Sequence, residues 1–310
     1  MTRILLLALL TILPATAQVK LTQGTDRILI DIDGKPFSAL FIGADTRKPY
    51  LHPLRAASGT VVTRAFPMDL VEGESRDHPH HRGLWFTHGD VNGYDFWANE
   101  SGQKKGKVVL KKIHDLKSGK KAGSLTASFQ WEIAEGKPLL EEVRTMTFHS
   151  DPALRIIDFD IKLTAIEQVK FGDTKEGVFA IRLVDRLNEK VGTGRMVASD
   201  GQSGEKAVWG KRFPWVDYSG ELDGEKVGVA IFDHPSNPKH PTYWHSRAYG
   251  LFAANIFGEH DFIDKSHDGS ITLDPGGSLQ FRYRVIVHPG DADTVNLGEH
   301  YRKYASGKKR

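Results

Sequence analysis

The sequence predicts an all-β protein, one large antiparallel β-sandwich carrying a single short C-terminal helix. Three observations predict it. From Val19 onward apolar and polar residues alternate with a period of two, the pattern of strands that bury one face and wet the other. Helical periodicity is confined to Thr294 to Tyr304, where Leu297, Tyr301 and Tyr304 share a face. Strands without interleaved helices argue against doubly wound and (β/α) barrel folds, and no internal repeat or Pro- or Ser-rich linker divides the chain. Residues 18–310 therefore read as one domain.

Each element follows in order. Arg3, the apolar run Ile4 to Leu13 and the small residues Ala15-Thr16-Ala17 have the layout of a cleavable secretory leader over residues 1–17. The run is shorter than the roughly 20 residues a spanning helix needs, so a periplasmic or secreted protein with no membrane partner after cleavage is expected. Arg27 to Asp31, the turn Asp33-Gly34 and Phe37 to Ile42 read as a hairpin. In Ser128 to Ile133, Phe129, Trp131 and Ile133 share one face. Ile157, Phe159, Ile161 and Leu163 alternate with Asp158, Asp160, Lys162 and Thr164, and Phe281, Tyr283, Val285 and Val287 with Arg282, Arg284, Ile286 and His288. The lysine-rich stretch Lys104 to Lys121 reads as a solvated hairpin.

Composition excludes several chemistries. The chain has 310 residues, 39% hydrophobic, enough to bury a core without staples. It has no cysteine, which removes disulfides, thiolate metal sites and cysteine nucleophiles. Lys+Arg 42 against Asp+Glu 39 leaves a net +3, too thin to indicate a nucleic-acid partner. No Gly-rich phosphate loop precedes a helix, so no nucleotide cofactor is indicated, and no G-x-S-x-G elbow is present. The expected mature N-terminus, Gln18, supplies no histidine for a copper site.

Three polar clusters carry the functional signal. The first is Asp77-His78-Pro79-His80-His81-Arg82-Gly83-Leu84-Trp85, extended by His88, Asp95 and Trp97. Pro79 and Gly83 place its histidines on a loop, followed by the strand Gly83 to His88. These imidazoles suit proton transfer oriented by Asp77. Alternatively His78, His80, His81 and His88 ligate a divalent metal. The second cluster, Asp173-Thr174-Lys175-Glu176-Gly177, opens the strand Val178 to Val184 with Arg182; Glu176 is a base, or half of a surface ion pair with Lys175. The third runs from Asp233-His234-Pro235 through Tyr243-Trp244-His245-Ser246-Arg247 to Asn255-Ile256-Phe257-Gly258. There Trp244 beside His245 and Arg247 suits a sugar face, or is a buried core residue.

In these runs, together with Asn92-Gly93-Tyr94-Asp95-Phe96-Trp97, the chain resembles the secreted bacterial "PmoA-like" family over nearly its whole mature length. Ile256 departs from the proline of the family's Asn-Pro-Phe-Gly pattern. The family's label refers to a multi-span subunit of methane mono-oxygenase, which a chain with no spanning segment after its leader does not match. By likely architecture the family is similar to the galactose mutarotase-like β-supersandwich, in which a His and a Glu act as acid and base in a groove on one sheet. The resemblance thus implies a carbohydrate-active epimerase, lyase or hydrolase acting on a small sugar or glycoside. His80 or His81 would be the donor and Glu176 the base, with Asp77 and Asp95 orienting them. Trp85, Trp97 and Trp244 would stack on sugar rings, and Arg64, Arg182 and Arg247 would bind hydroxyls or a carboxylate. His88, Lys175, His234, His245 and Asn255 would complete the binding surface. No cofactor is expected beyond a possible divalent metal. The other readings are a histidine-ligated metal hydrolase or lyase and a non-catalytic carbohydrate-binding protein.

Overall fold

The computed structural model describes residues 18–100 and 102–307, so the leader expected at residues 1–17 lies outside the described residues. The strands, in chain order, are β1 (Val19–Gln23), β2 (Arg27–Ile32), β3 (Lys35–Phe41), β4 (Tyr50–Leu51), β5 (Leu84–His88), β6 (Lys107–Lys117), β7 (Ala122–Glu132), β8 (Pro138–His149), β9 (Arg155–Ala165), β10 (Val169–Phe171), β11 (Gly177–Arg182), β12 (Arg195–Ala198), β13 (Trp215–Leu222), β14 (Glu225–Asp233), β15 (Tyr243–Trp244), β16 (Leu251–Asn255), β17 (Ile271–Leu273) and β18 (Ser278–Pro289). Two eight-stranded antiparallel sheets face each other. The first has the order β1-β2-β3-β4-β5-β11-β16-β15, the second β12-β13-β14-β18-β9-β8-β7-β6, and β10 pairs with β17 in a small third sheet. The expected antiparallel sandwich is the fold observed.

The alternating strands do what their pattern demands. β7 buries every second residue, with Phe129 and Trp131 in the inter-sheet core, and Phe159 and Ile161 of β9 meet Tyr283 and Phe281 of β18 in register. The lysine-rich stretch forms β6 and its turn into β7, and β6 is the edge of the second sheet. Lysines along an edge discourage pairing with another chain. Inside the core lies a charge pair that the pattern does not announce. Glu142 and Arg144 of β8 are both buried, joined at 2.6 Å, and Glu142 also accepts the Trp131 indole N–H at 2.8 Å.

The C-terminal helix (Leu297–Ala305) is one of three α-helices among the described residues, after two single-turn helices at Glu205–Val208 and Glu259–Phe262. It begins three residues later than the periodicity suggests. Asp291 accepts from the Thr294 backbone and hydroxyl, holding that segment in a turn, and Asn296, at φ 51°, caps the helix from a non-helical conformation. The shared face is as expected. Leu297, Tyr301 and Tyr304 cover Phe232 and Ile286 on the outer side of the second sheet, which is why Ile286 is buried although its neighbours alternate.

The outer side of the first sheet is also covered, so β5, β11 and β16 are buried on both faces. The cover is the loop that carries the histidines. Gly83 turns that loop into β5 at φ +53°, and a Cβ there would lie 2.1 Å from the Leu51 carbonyl oxygen. An L-residue would combine left-handed strain with a backbone clash. Gly83→Ala is expected to destabilise by more than about 2 kcal/mol, read as a fall in chemical-denaturation midpoint; an unchanged midpoint would show that the turn relaxes freely.

Candidate functional site

On the outer face of the first sheet, Ala180 sits between Trp85 and Ala253 in the strand register. The two small residues leave room above them, and rings fill it. Trp97 packs on Trp85 at 4.9 Å, and His81 stacks on Trp85 at 5.3 Å. His78 then stacks between His81 (4.7 Å, interplanar 4°) and Tyr249 (5.3 Å, 6°), while His80 stands edge-on to His81 at 4.4 Å. The loop is anchored from below by Arg64 and Arg182, both buried, which bind Asp77 at 2.5 and 2.8 Å. Burial opposes the Asp77 charge, yet Arg182, His78 and Arg64 hold its carboxyl below its ordinary value. Asp77 therefore ties down the loop and touches His78 at 3.2 Å; it does not orient His80 or His81 as expected. Nor does Asp95, which binds Lys105 at 2.7 Å and caps the Trp97 and Ala98 N–H groups.

The electrostatics alter the expected roles. Burial pushes His80 down to about 3, with the Lys48 and His78 charges acting the same way, and pushes His81 well below the ordinary imidazole value. Both are neutral near pH 7, so neither holds the spare proton expected of an imidazolium donor. The Arg182 guanidinium, which only donates, approaches His81 Nδ1 at 3.3 Å, placing the His81 proton on Nε2. That Nε2, the indole nitrogens of Trp85 and Trp97, and Arg182 Nε have no hydrogen-bond partner among the described residues. The floor under the loop is thus rich in donors and lacks acceptors.

Glu176 sits at the corner entering β11. Burial raises its carboxyl above the ordinary value, Asp95 and Asp261 add to the rise, and Lys175 and His78 partly oppose it. The expected Glu176–Lys175 surface pair is not what forms, for Lys175 reaches toward Asp261 at 3.8 Å. His88 and Asn255 brace this corner instead of lining a binding surface. His88 donates through Nε2 to the Gly172 carbonyl at 2.8 Å and packs on Phe257; Asn255 donates to the Thr174 carbonyl at 2.9 Å.

Beyond Tyr249 lies a cleft of about 730 Å³ lined by Glu189, Ser203, Glu205, Lys206, Trp209 and Arg247. Arg247 pairs with Glu205 at 2.8 Å and lies 5.8 Å from both the Trp209 and Tyr249 rings. His245, buried and depressed to about 3 by desolvation, accepts the Trp209 indole N–H on Nδ1 at 3.0 Å, which leaves its proton on Nε2.

Several expected site residues are elsewhere. Trp85, Trp97 and Trp244 are at most 1% exposed and cannot stack on a ligand from solvent; the first two are roofed by His81, and Trp244 packs in the inter-sheet core on Phe252. The half-buried Trp209 is the aromatic wall that is available, and sequence reasoning missed it; its flanking glycine and position outside any strand were the usable signal. His234 belongs to the second sheet, edge-on to Tyr304 at 5.1 Å. The metal set is not assembled. His78 and His81 are parallel, so their in-plane lone pairs cannot meet at one ion, and His88 is engaged at Gly172. Among the described residues no group of three or more His, Asp or Glu side chains is arranged to hold a metal. Lys48 was also missed, and a lysine between Arg47 and Pro49 gives no signal. It is fully buried, donates to the Trp97 carbonyl and to Asn99, and is pushed down to about 7 by desolvation.

The fold and these side chains define a two-sheet antiparallel β-sandwich with a polar, histidine-roofed site on one sheet. The chain belongs to DUF6807, a family of unknown function, whose model matches residues 27–302. No protein of curated function matches it. Among solved structures it is similar to a galactose mutarotase-like protein from Clostridium acetobutylicum (12% identity, 87% of this chain and 98% of that one, TM-score 0.47). It is similar also to a galactose 1-epimerase from Lactobacillus acidophilus (9%, 88% and 98%, TM-score 0.40) and an α-galactosidase from Lactobacillus brevis (9%, 89% and 40%, TM-score 0.44). The chain thus spans 40% of the length of that galactosidase. Identities of 9 to 12% do not extend to residue roles. Among the described residues no helix is long and apolar enough to cross a membrane.

Proposed function

We propose that the protein is a secreted carbohydrate-active enzyme that moves a proton at a carbon or oxygen of a small sugar, with Glu176 as the acid–base group. The observation that carries this reading is the Glu176 carboxyl, raised by burial at the corner entering β11 and within electrostatic reach of His78 and Tyr249. A raised carboxyl exchanges protons nearer neutral pH than an exposed one. Trp209 offers a flat apolar wall, and Arg247, Glu205 and Ser203 offer hydroxyl partners. The neutral histidines serve as hydrogen-bond partners, not proton sources. The leader-like residues 1–17 support secretion.

Solvent-proton exchange into a panel of reducing sugars and glycosides in D2O, followed by NMR, tests the reading. Glu176→Gln is expected to slow exchange by about 10²–10⁴-fold while sugar affinity changes little. Exchange at the wild-type rate in the variant would remove Glu176 from the chemistry. Binding by the wild type with neither deuterium uptake at carbon nor faster anomer interconversion would make the protein a carbohydrate-binding module.

A further inference from the structure

A cleft of about 920 Å³ lies away from the histidine loop, on the outer face of the second sheet, between β8 and the C-terminal helix. Its floor is a cross-strand row. Arg284 of β18 binds Asp158 of β9 with two hydrogen bonds of 2.6 and 2.7 Å, and His149 of β8 reaches the same carboxylate at 2.7 Å. One row along, Asp160 takes Arg282 at 3.0 Å and Gln280 at 2.7 Å.

A wet sheet face ordinarily carries loose, exposed ion pairs of little energetic consequence. This row differs, since the Arg284 side chain is only 9% exposed and His149 18%. The hydrogen-bonding capacity is also lopsided. Both carboxylates are already doubly engaged, whereas Arg284 keeps Nη1 and Arg282 keeps Nη2 for another acceptor. Lys121 adds a third cation to the lining, the Arg284 guanidinium lies over the Tyr304 ring at 4.6 Å, and the buried Tyr304 hydroxyl has no hydrogen-bond partner among the described residues. Surplus donors fixed in place by carboxylates suit an anionic oxygen group. The hydroxyls of Thr145, Thr147 and Ser150 along the wall suit a polyhydroxylated body.

We propose that this cleft is a second binding site, separate from the histidine face, that takes an acidic sugar through its carboxylate. Arg284 and Arg282 hold the carboxylate, and the threonine and serine hydroxyls meet the ring hydroxyls. The site does not depend on Glu176 or on any activity of the other face.

Calorimetric titration of the full chain with trigalacturonate tests it, with maltotriose and sodium sulfate as comparison ligands. Arg282→Gln and Lys121→Gln, at a half-buried and an exposed position, are each expected to weaken trigalacturonate binding at least tenfold with unchanged melting temperature, and Glu176→Gln is expected to leave it unaltered. Binding lost in Glu176→Gln but kept in the other two would move the ligand to the histidine face and overturn the proposal. So would equal affinity for maltotriose, displacement by sulfate at equal affinity, or no measurable binding.

Discussion

Lowering the pH from 7 to 5 is expected to strip this protein of much of its stability. Burial pushes His52 and His88 down to about 4, His80 and His245 to about 3, and His81 well below the ordinary value. In the unfolded chain each titrates near 6.5. Below that value the unfolded state binds more protons than the folded one, so stability falls as pH falls. The contribution is fully present above about 6.5 and is lost progressively down to the folded values. Each such group costs at most about 1.4 kcal/mol per pH unit, and the partly exposed His80 costs less. Five together approach a typical folding stability of about 5–15 kcal/mol. One histidine works the other way. Burial disfavours the charge on His288, but Asp217 at 2.9 Å outweighs it and raises the value, so its contribution is present at acid pH and lost as pH rises through the raised value. The half-buried His234, also lowered by burial, adds a sixth, and six against one leave a net acid sensitivity. Melting temperatures between pH 7.5 and 4.5 test this, and a melting point constant down to pH 5 would show that the imidazoles gain water or partners as they charge. His245→Gln should flatten the curve by about one proton.

The second large effect is in the core. Glu142→Gln keeps an acceptor for the Trp131 indole but leaves Arg144 charged and unpaired between the sheets, packed on Phe129 and Phe86. Breaking one side of a buried pair in this way costs about 3–5 kcal/mol. Replacing both residues by methionine removes the two desolvated charges together and is expected to be neutral or to stabilise by about 1–4 kcal/mol. Urea denaturation of the single and double variants reads both. A double variant as unstable as the single would show that the Trp131 hydrogen bond, and not the charge, is what the site requires.

The sequence displayed those strands that have one wet face. β7, β9 and β18 alternate because solvent touches their outer side, and the hairpin of β2 and β3 announces itself through Asp33-Gly34. β11, β16 and the middle of β14 are buried on both sides, so alternation there says little about which residue faces which layer. The same fact explains the misplaced tryptophans. Trp85 does point to the outer face of its sheet, but a loop folds over it and turns a platform into a floor. The histidine loop, the Glu176 corner and the Arg247 segment were legible as clusters, and the sandwich brings them to one sheet. What was not legible is the distant side chain each one meets: Asp77 between two arginines, Lys48 under Trp97, Trp209 against His245, and His234 on the far sheet.

The arrangement of tryptophans also equips the molecule with an optical probe. Of the six, Trp85, Trp97, Trp131, Trp215 and Trp244 are buried, leaving Trp209 as the indole within reach of a dissolved quencher. Collisional quenching by acrylamide therefore samples the wall of the Arg247 cleft almost alone. Any solute that settles there should shield that emission, so the molecule can screen its own ligands without a label or a coupled assay.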